Sequence, residues 1–365
     1  MFKKLFGNFF QSSTPEKKPT PSVKQPPKAP PPPVKKVPIV LPKYNPYPHK
    51  DKVALQIKEL YDEGYMKKIC SLLEAMDGGD EWNRRTDYLH YLGTIADREM
   101  VEQAPDTATG EQIRGYHAIE WAWQARGGGT ADTVEDGGWA KFYNRLELAQ
   151  EHLLNAASLD TNDPCSYPAL ISTQQGTGDP VNPLVQSYFD EGMSRYPCLV
   201  DLHRQNMGRL VKKWGGSHDL ARQSAQVAVD AATPRHPVAG MWFAALIEEW
   251  FYHKSFSDAD DHLEVARQFR LDKDRRKEAI AIYARIAGHA DNTAVSEINE
   301  LWEISIHNSI GAWFYLSNVE KILAHELKLL DGRIKQVPWV WIKPASVTTY
   351  EGIIRNAYKQ ARLIT

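Results

Sequence analysis

Twelve histidines and 46 acidic residues support metal or acid–base chemistry only where spacing gathers them. His325-Glu326-Leu327-Lys328-Leu329 begins like HExxH but carries Leu329 where the second ligand must stand. Glu249-x-x-x-His253 and Glu303-x-x-x-His307 each set a carboxylate one helical turn from an imidazole. That is the spacing of an ordinary ion pair, whereas bundle di-metal sites use Glu-x-x-His with further glutamates. Asp258-Ala259-Asp260-Asp261-His262 lacks the glycine and the final glutamate of a calcium loop and reads as a helix N-terminus. Gly127-Gly128-Gly129-Thr130 has no following Lys-Ser/Thr and no preceding strand, so it reads as a turn. No GxSxG occurs, and Cys70, Cys165 and Cys198 form no CxxC. The expectation is no metal, no cofactor and no catalytic residue.

Aromatic and basic residues are the remaining chemistry. Arg114, His117 and Trp121 fall on one helical face, with Trp123 and Arg126 beside them. Such a face can line a concave peptide groove, since Trp and Arg dominate interface hot spots, or it can be a core wedge. At the start of the chain, Phe2, Leu5, Phe6, Phe9 and Phe10 recur at i, i+3, i+4, i+7 and i+8, with Lys3 and Lys4 alongside. Ten residues make a marginal helix in water, so the stripe needs a surface to fold on. An anionic membrane face, a groove on a protein partner, or this chain's own body would serve.

The elements behind these residues divide by composition. The chain has 365 residues and a formal charge of −2. That near-balance argues against a dedicated nucleic-acid binder. Residues 1–50 hold ten lysines and one acid, a charge of +9, which leaves −11 for residues 51–365. Thirteen of the 23 prolines lie between Pro15 and Pro48. Proline removes a backbone donor and fixes φ, so residues 11–50 read as a disordered Pro/Lys-rich linker between a short amphipathic segment (1–10) and a body (51–365). No apolar run is long enough to span a membrane.

The body reads as all-α. Val53, Ile57, Leu60 and Tyr61 mark one apolar face, and Ile69, Leu72, Leu73 and Met76 the next. Helical stretches follow at 145–159, 184–195, 199–211, 219–232 and 276–287. Asp179-Pro180 reads as a helix start and Thr348-x-x-Glu351 as a capping box.

Small–large–small triads recur at Ala149, Leu153, Ala156; at Val185, Phe189, Gly192; at Ala221, Ala225, Ala228, which keeps the spacing with alanine at the large position; and at Ala259, Leu263, Ala266. These resemble the second half of the tetratricopeptide pattern, over roughly residues 140–290. The resemblance implies a helical-repeat solenoid; without it the body is an irregular helical domain. Asp201-Leu202-His203-Arg204-Gln205 and Leu210-Val211-Lys212-Lys213-Trp214-Gly215-Gly216-Ser217-His218 are similar to uncharacterised bacterial helical domains of unknown function. That likeness implies a bacterial source and no catalytic residues. Locally, Gly215 and Gly216 can stop one helix, Ser217 can cap the next, and Trp214 can fill the corner; the functional alternative is a binding loop around Trp214 and His218.

The function expected from these features is a non-catalytic, cytoplasmic scaffold or adaptor for a protein partner, held near the inner membrane face by its first ten residues. The rival is an enzyme whose site lies in the helical body, built on His117, His253 or His307. The two differ in geometry. A scaffold presents an open groove without converging titratable groups, and an enzyme a closed polar pocket.

Overall fold

The computed structural model describes residues 51–127, 134, 136–175, 179–288, 298, 300–344 and 346–363. The proposed membrane or partner contacts at Phe2, Lys3, Lys4, Leu5, Phe6, Phe9 and Phe10, and the linker after them, lie outside these residues. Every regular element among the described residues is helical, and no strand occurs there. No described helix is long and apolar enough to cross a membrane.

The first half comprises α1 (Lys52–Asp62), α2 (Met66–Glu74), α3 (Asp80–Ile95), α4 (Arg98–Val101), α5 (Ala108–Arg126), α6 (Asp136–Leu159), α7 (Ser166–Thr173), α8 (Pro183–Arg195) and α9 (Val200–Leu210). The second comprises α10 (His218–Ala231), α11 (Met241–Ser255), α12 (His262–Leu271), α13 (Lys273–Ala287), α14 (Leu301–Leu316), α15 (Glu320–Leu330), α16 (Gln336–Trp339) and α17 (Tyr350–Gln360). Each half buries its own apolar cluster. One runs from Ala54 to Leu202 and the other from Cys198 to Ala361. Helix α9 contributes to both.

Local chemistry sets the starts and stops. Asp51 caps α1 by accepting from the Ala54 amide at 2.8 Å. Ser217 caps α10 through the Leu220 amide at 3.1 Å, just after Gly215 turns the chain at φ +92°. A Cβ on Gly216 would collide with the Leu210 carbonyl, and half-buried Trp214 meets Trp123 edge-on at 6.4 Å. Two expected starts move. Helix α8 begins not at Asp179-Pro180 but at Pro183, capped by Asn182, whose side chain accepts from Leu184 N at 2.9 Å. Both sites offer a capping side chain followed by proline, so the same chemistry competes at two positions. Helix α17 is capped by Thr349 rather than Thr348, through the Gly352 amide at 3.1 Å.

The first three triads are buried. Leu153 is 0% exposed and occupies the space a side chain at Gly115 would need, so α5 and α6 pack closely. The fourth triad is corrected: Leu263 is 62% exposed. Helix α12 instead buries Ala266 and Phe269, one turn apart on another face. Long-range closure also joins elements distant in sequence, because α3 packs against both α9 and α14.

Candidate functional site

Asn83 ties α3 to the start of α9. Its amide oxygen accepts from Val200 N at 2.8 Å and its nitrogen donates to the Cys198 carbonyl at 3.3 Å. One turn along α3, Asp87 therefore faces α9, with Asp201 and Arg204 opposite. Helix α14 closes the third side and α11 the fourth. The chain after α15 forms the lip, and Asn308 fixes it: its oxygen accepts from Lys335 N at 3.0 Å and from Trp339 Nε1 at 2.9 Å. Its nitrogen donates to Ile304 O and Arg333 O at 2.8 and 3.1 Å.

These elements enclose a cleft of about 300 Å³ where the two apolar clusters meet. Its walls are largely apolar, with Met207, Met241, Ile247, Ile306, Pro338 and Trp341. Trp341 is held at the rim by stacking on Phe251, 5.1 Å between centroids, and by Lys254 Nζ donating to its carbonyl at 2.9 Å. The polar groups are Asn83, Asp87, Asp201, Arg204, Glu248, Ser305, Ser309 and Lys335.

Their partnerships are uneven. Asp201 is saturated: His90 Nε2 lies 2.7 Å from Oδ2, while Arg204 Nε and Gln205 Nε2 donate to Oδ1 at 2.8 and 3.2 Å. Burial alone would push this carboxyl up, but the Arg204 guanidinium and His90 hold it well below the usual carboxylate range. Glu248 is paired with Lys213 at 2.8 Å. Asp87 has no hydrogen bond or ion pair among the described residues, and its Oδ2 is sealed from solvent without a partner. Burial lifts its carboxyl to about 6, against the pull of Lys335 and Arg204. Lys335 donates to Ser305 Oγ, and burial pushes its ammonium below the ordinary lysine value. A carboxyl and an ammonium thus feel each other across the cleft without closing an ion pair. A carboxyl near 6 can hold or release a proton close to neutral pH.

The residues singled out by spacing lie elsewhere. Arg114 is occupied by Glu111 and by the Ala104 carbonyl, and the Arg145 guanidinium sits 3.6 Å from the centroid of the Trp121 ring. Burial holds His117 below the ordinary histidine pKa. None of Arg114, His117 and Trp121 lines the cleft. The failed HExxH pair, His325 and Glu326, joins His307 and Tyr283 in a network at α13–α15, with Glu326 wholly buried. His253 sits with Glu249 and His218, a trio whose donor atoms lie within 4.8 Å of one another. Sequence reasoning passed over Asp87 because an acid within Arg84-Arg85-Thr86-Asp87-Tyr88 looks like any solvated helix face. No family model, curated protein or solved structure matches the chain.

Proposed function

We propose that the helical body binds a small, largely apolar molecule in the cleft, with its polar head between Asp87 and Lys335. The observation that carries this is the pair of charged groups left unjoined at the polar side of an otherwise apolar cleft. A head that donates one hydrogen bond and accepts another satisfies both, because Asp87 offers lone pairs and Lys335 offers N–H. The volume stands at the lower end of ligand pockets, about 300–1,000 Å³, which suits a short acyl or aryl group. Converging titratable groups are what the enzyme reading requires and the scaffold reading does not, so ligand binding is placed first and acid–base work by Asp87 becomes its natural extension.

The test is ligand-observed NMR with four probes sharing one chain: hexanamide, hexanoate, hexylamine and hexanol. Hexanamide should bind best, and Asp87→Leu and Lys335→Met should each weaken it at least tenfold. Absence of binding by all four, or binding indifferent to both substitutions, defeats the proposal.

A second reading concerns residues 1–10, where the apolar stripe and Lys3-Lys4 support reversible attachment to an anionic membrane, with lysines adding roughly 1 kcal/mol each near a negative leaflet. In this reading the body is a tethered bacterial adaptor at the cytoplasmic face, and α6, α8 and α10 are degenerate tetratricopeptide-type copies. Flotation with anionic liposomes checks it. The intact chain should float at low salt, and Phe6→Asp/Phe9→Asp should abolish flotation. An intact chain that stays at the bottom of the gradient removes the tether.

A further inference from the structure

Away from the polar side of the cleft, the packing of α10 on α11 brings His218 to the Glu249–His253 pair that spacing already set one turn apart. Glu249 and His253 share one face of α11, with His253 Nε2 3.9 Å from Glu249 Oε1. The first residue of α10, His218, faces them: its ring lies 5.0 Å from that of His253. Donor atoms of all three fall within 4.8 Å of one another. His218 Nε2 is sealed from solvent and has no hydrogen-bond partner. A buried imidazole nitrogen without a partner forfeits a hydrogen bond it would have in water, so it calls for a ligand or an explanation.

We infer that His218, Glu249 and His253 form a binding site for a divalent transition metal of the zinc class. Two imidazoles and one carboxylate are a common three-residue donor set for zinc, and such sites leave a fourth position open. Ligands about 2.0–2.1 Å from a tetrahedral ion stand roughly 3.4 Å apart, so the three side chains must draw in by about 1 Å. A cavity of about 10 Å³ lined by His218, Glu249 and Tyr252 adjoins them, near the minimum space for one water at the open position.

The surroundings supply a supporting shell. Arg222 donates to Glu249 Oε2 and also pairs with Asp219, leaving Oε1 on the side toward His253. Outer partners of this kind orient a ligating carboxylate. The His218 and His253 rings are further steadied by Tyr252, edge-on to His218 at 5.1 Å, and by Phe269, 5.5 Å from His253. The flanking cations Arg222 and Lys212 oppose a bound dication, so the affinity should be moderate. The inference does not depend on the cleft reading, since it uses none of Asp87, Arg204 and Lys335.

Isothermal titration of the untagged full chain with zinc chloride tests it, with cobalt(II) absorption as a second readout. One zinc per chain is expected at micromolar dissociation constant or tighter. Cobalt should give the intense visible bands of a four-coordinate site. His218→Ala and His253→Ala should each weaken zinc at least tenfold and bleach the cobalt bands, while His262→Ala leaves both unchanged. If His218→Ala fails to fold by circular dichroism, His218→Gln takes its place. No stoichiometric zinc uptake, or uptake unaltered by the His218 and His253 substitutions, overturns the inference.

Discussion

Two carboxyl groups, Glu326 in the second half and Asp87 at the seam, are both withdrawn from water and meet opposite fates. Glu326 is 0% exposed, yet Tyr283 OH donates to its Oε1 and His307 Nδ1 lies 2.8 Å from its Oε2. Desolvation alone would raise its pKa, but the pull and hydrogen bond of His307, with His325 and Tyr283, bring it down to about 2. Asp87 is less deeply placed and has no such partners, so burial wins and its carboxyl rises to about 6. Burial does not decide the charge; the count of donors does. A saturated carboxylate is a structural joint, holding α13, α14 and α15 together. An unsaturated one costs stability and persists in a cleft, which marks it as the group with chemical work to do.

The sharpest way to break this contrast is to remove the saturated member. Glu326→Ala strands His307 in the core and should cost about 3–5 kcal/mol, the usual penalty for breaking a buried charged pair. Denaturant unfolding at pH 7 measures it. A cost under about 1 kcal/mol would mean the network is incidental.

Asp87→Asn should act in the opposite direction. Its carboxyl holds a proton more tightly in the folded state, about 6, than in the unfolded chain, 3.8. Folding is therefore favoured by protonation between those values, and this contribution is lost as pH rises through about 6. Glu326 is the mirror case: its contribution is present above 4.5 and lost as pH falls toward about 2. Asp87→Asn should thus stabilise the protein by about 1–3 kcal/mol at pH 8 and by little at pH 4, at 1.36 kcal/mol per pKa unit. Unfolding curves across that pH range give the difference. A destabilised variant at pH 8 would show that Asp87 is satisfied after all.

The same contrast explains what the sequence could reveal. Helix positions were legible because their signals are local. The stretches expected at 145–159, 184–195 and 219–232 fall within one residue of α6, α8 and α10 or inside them. Errors came where one local rule fits two places, as with Asp179-Pro180 against Asn182-Pro183. They also came where a pattern of common residues recurs by chance, as at Ala259, Leu263 and Ala266. The cleft was illegible because it is assembled from α3, α9, α11, α14 and the lip, with Asn83 meeting Val200 across 117 positions. No spacing rule spans that distance. The link from His218 to Glu249 and His253 was likewise hidden, since only packing of α10 on α11 brings them together.

The smallest effect, and the one that tests the polar side of the cleft most directly, comes from Lys335→Met. Methionine keeps the length of the side chain and suits the Met207, Met241 and Ile306 walls, while deleting an ammonium that burial already disfavours. Burial makes this ammonium costly to keep, while its pull on Asp87 offsets part of that cost, so the two effects oppose and stability should change by less than about 1 kcal/mol at pH 7. The informative change lies at Asp87. Lys335 lowers its carboxyl, so without that cation the midpoint should climb above the wild-type value of about 6. Repeating the Asp87→Asn stability comparison in the Lys335→Met background reads this out. The pH window in which the asparagine variant gains its advantage should move upward. A window that stays in place would separate Lys335 from Asp87 electrostatically and remove the reason for placing one ligand head between them.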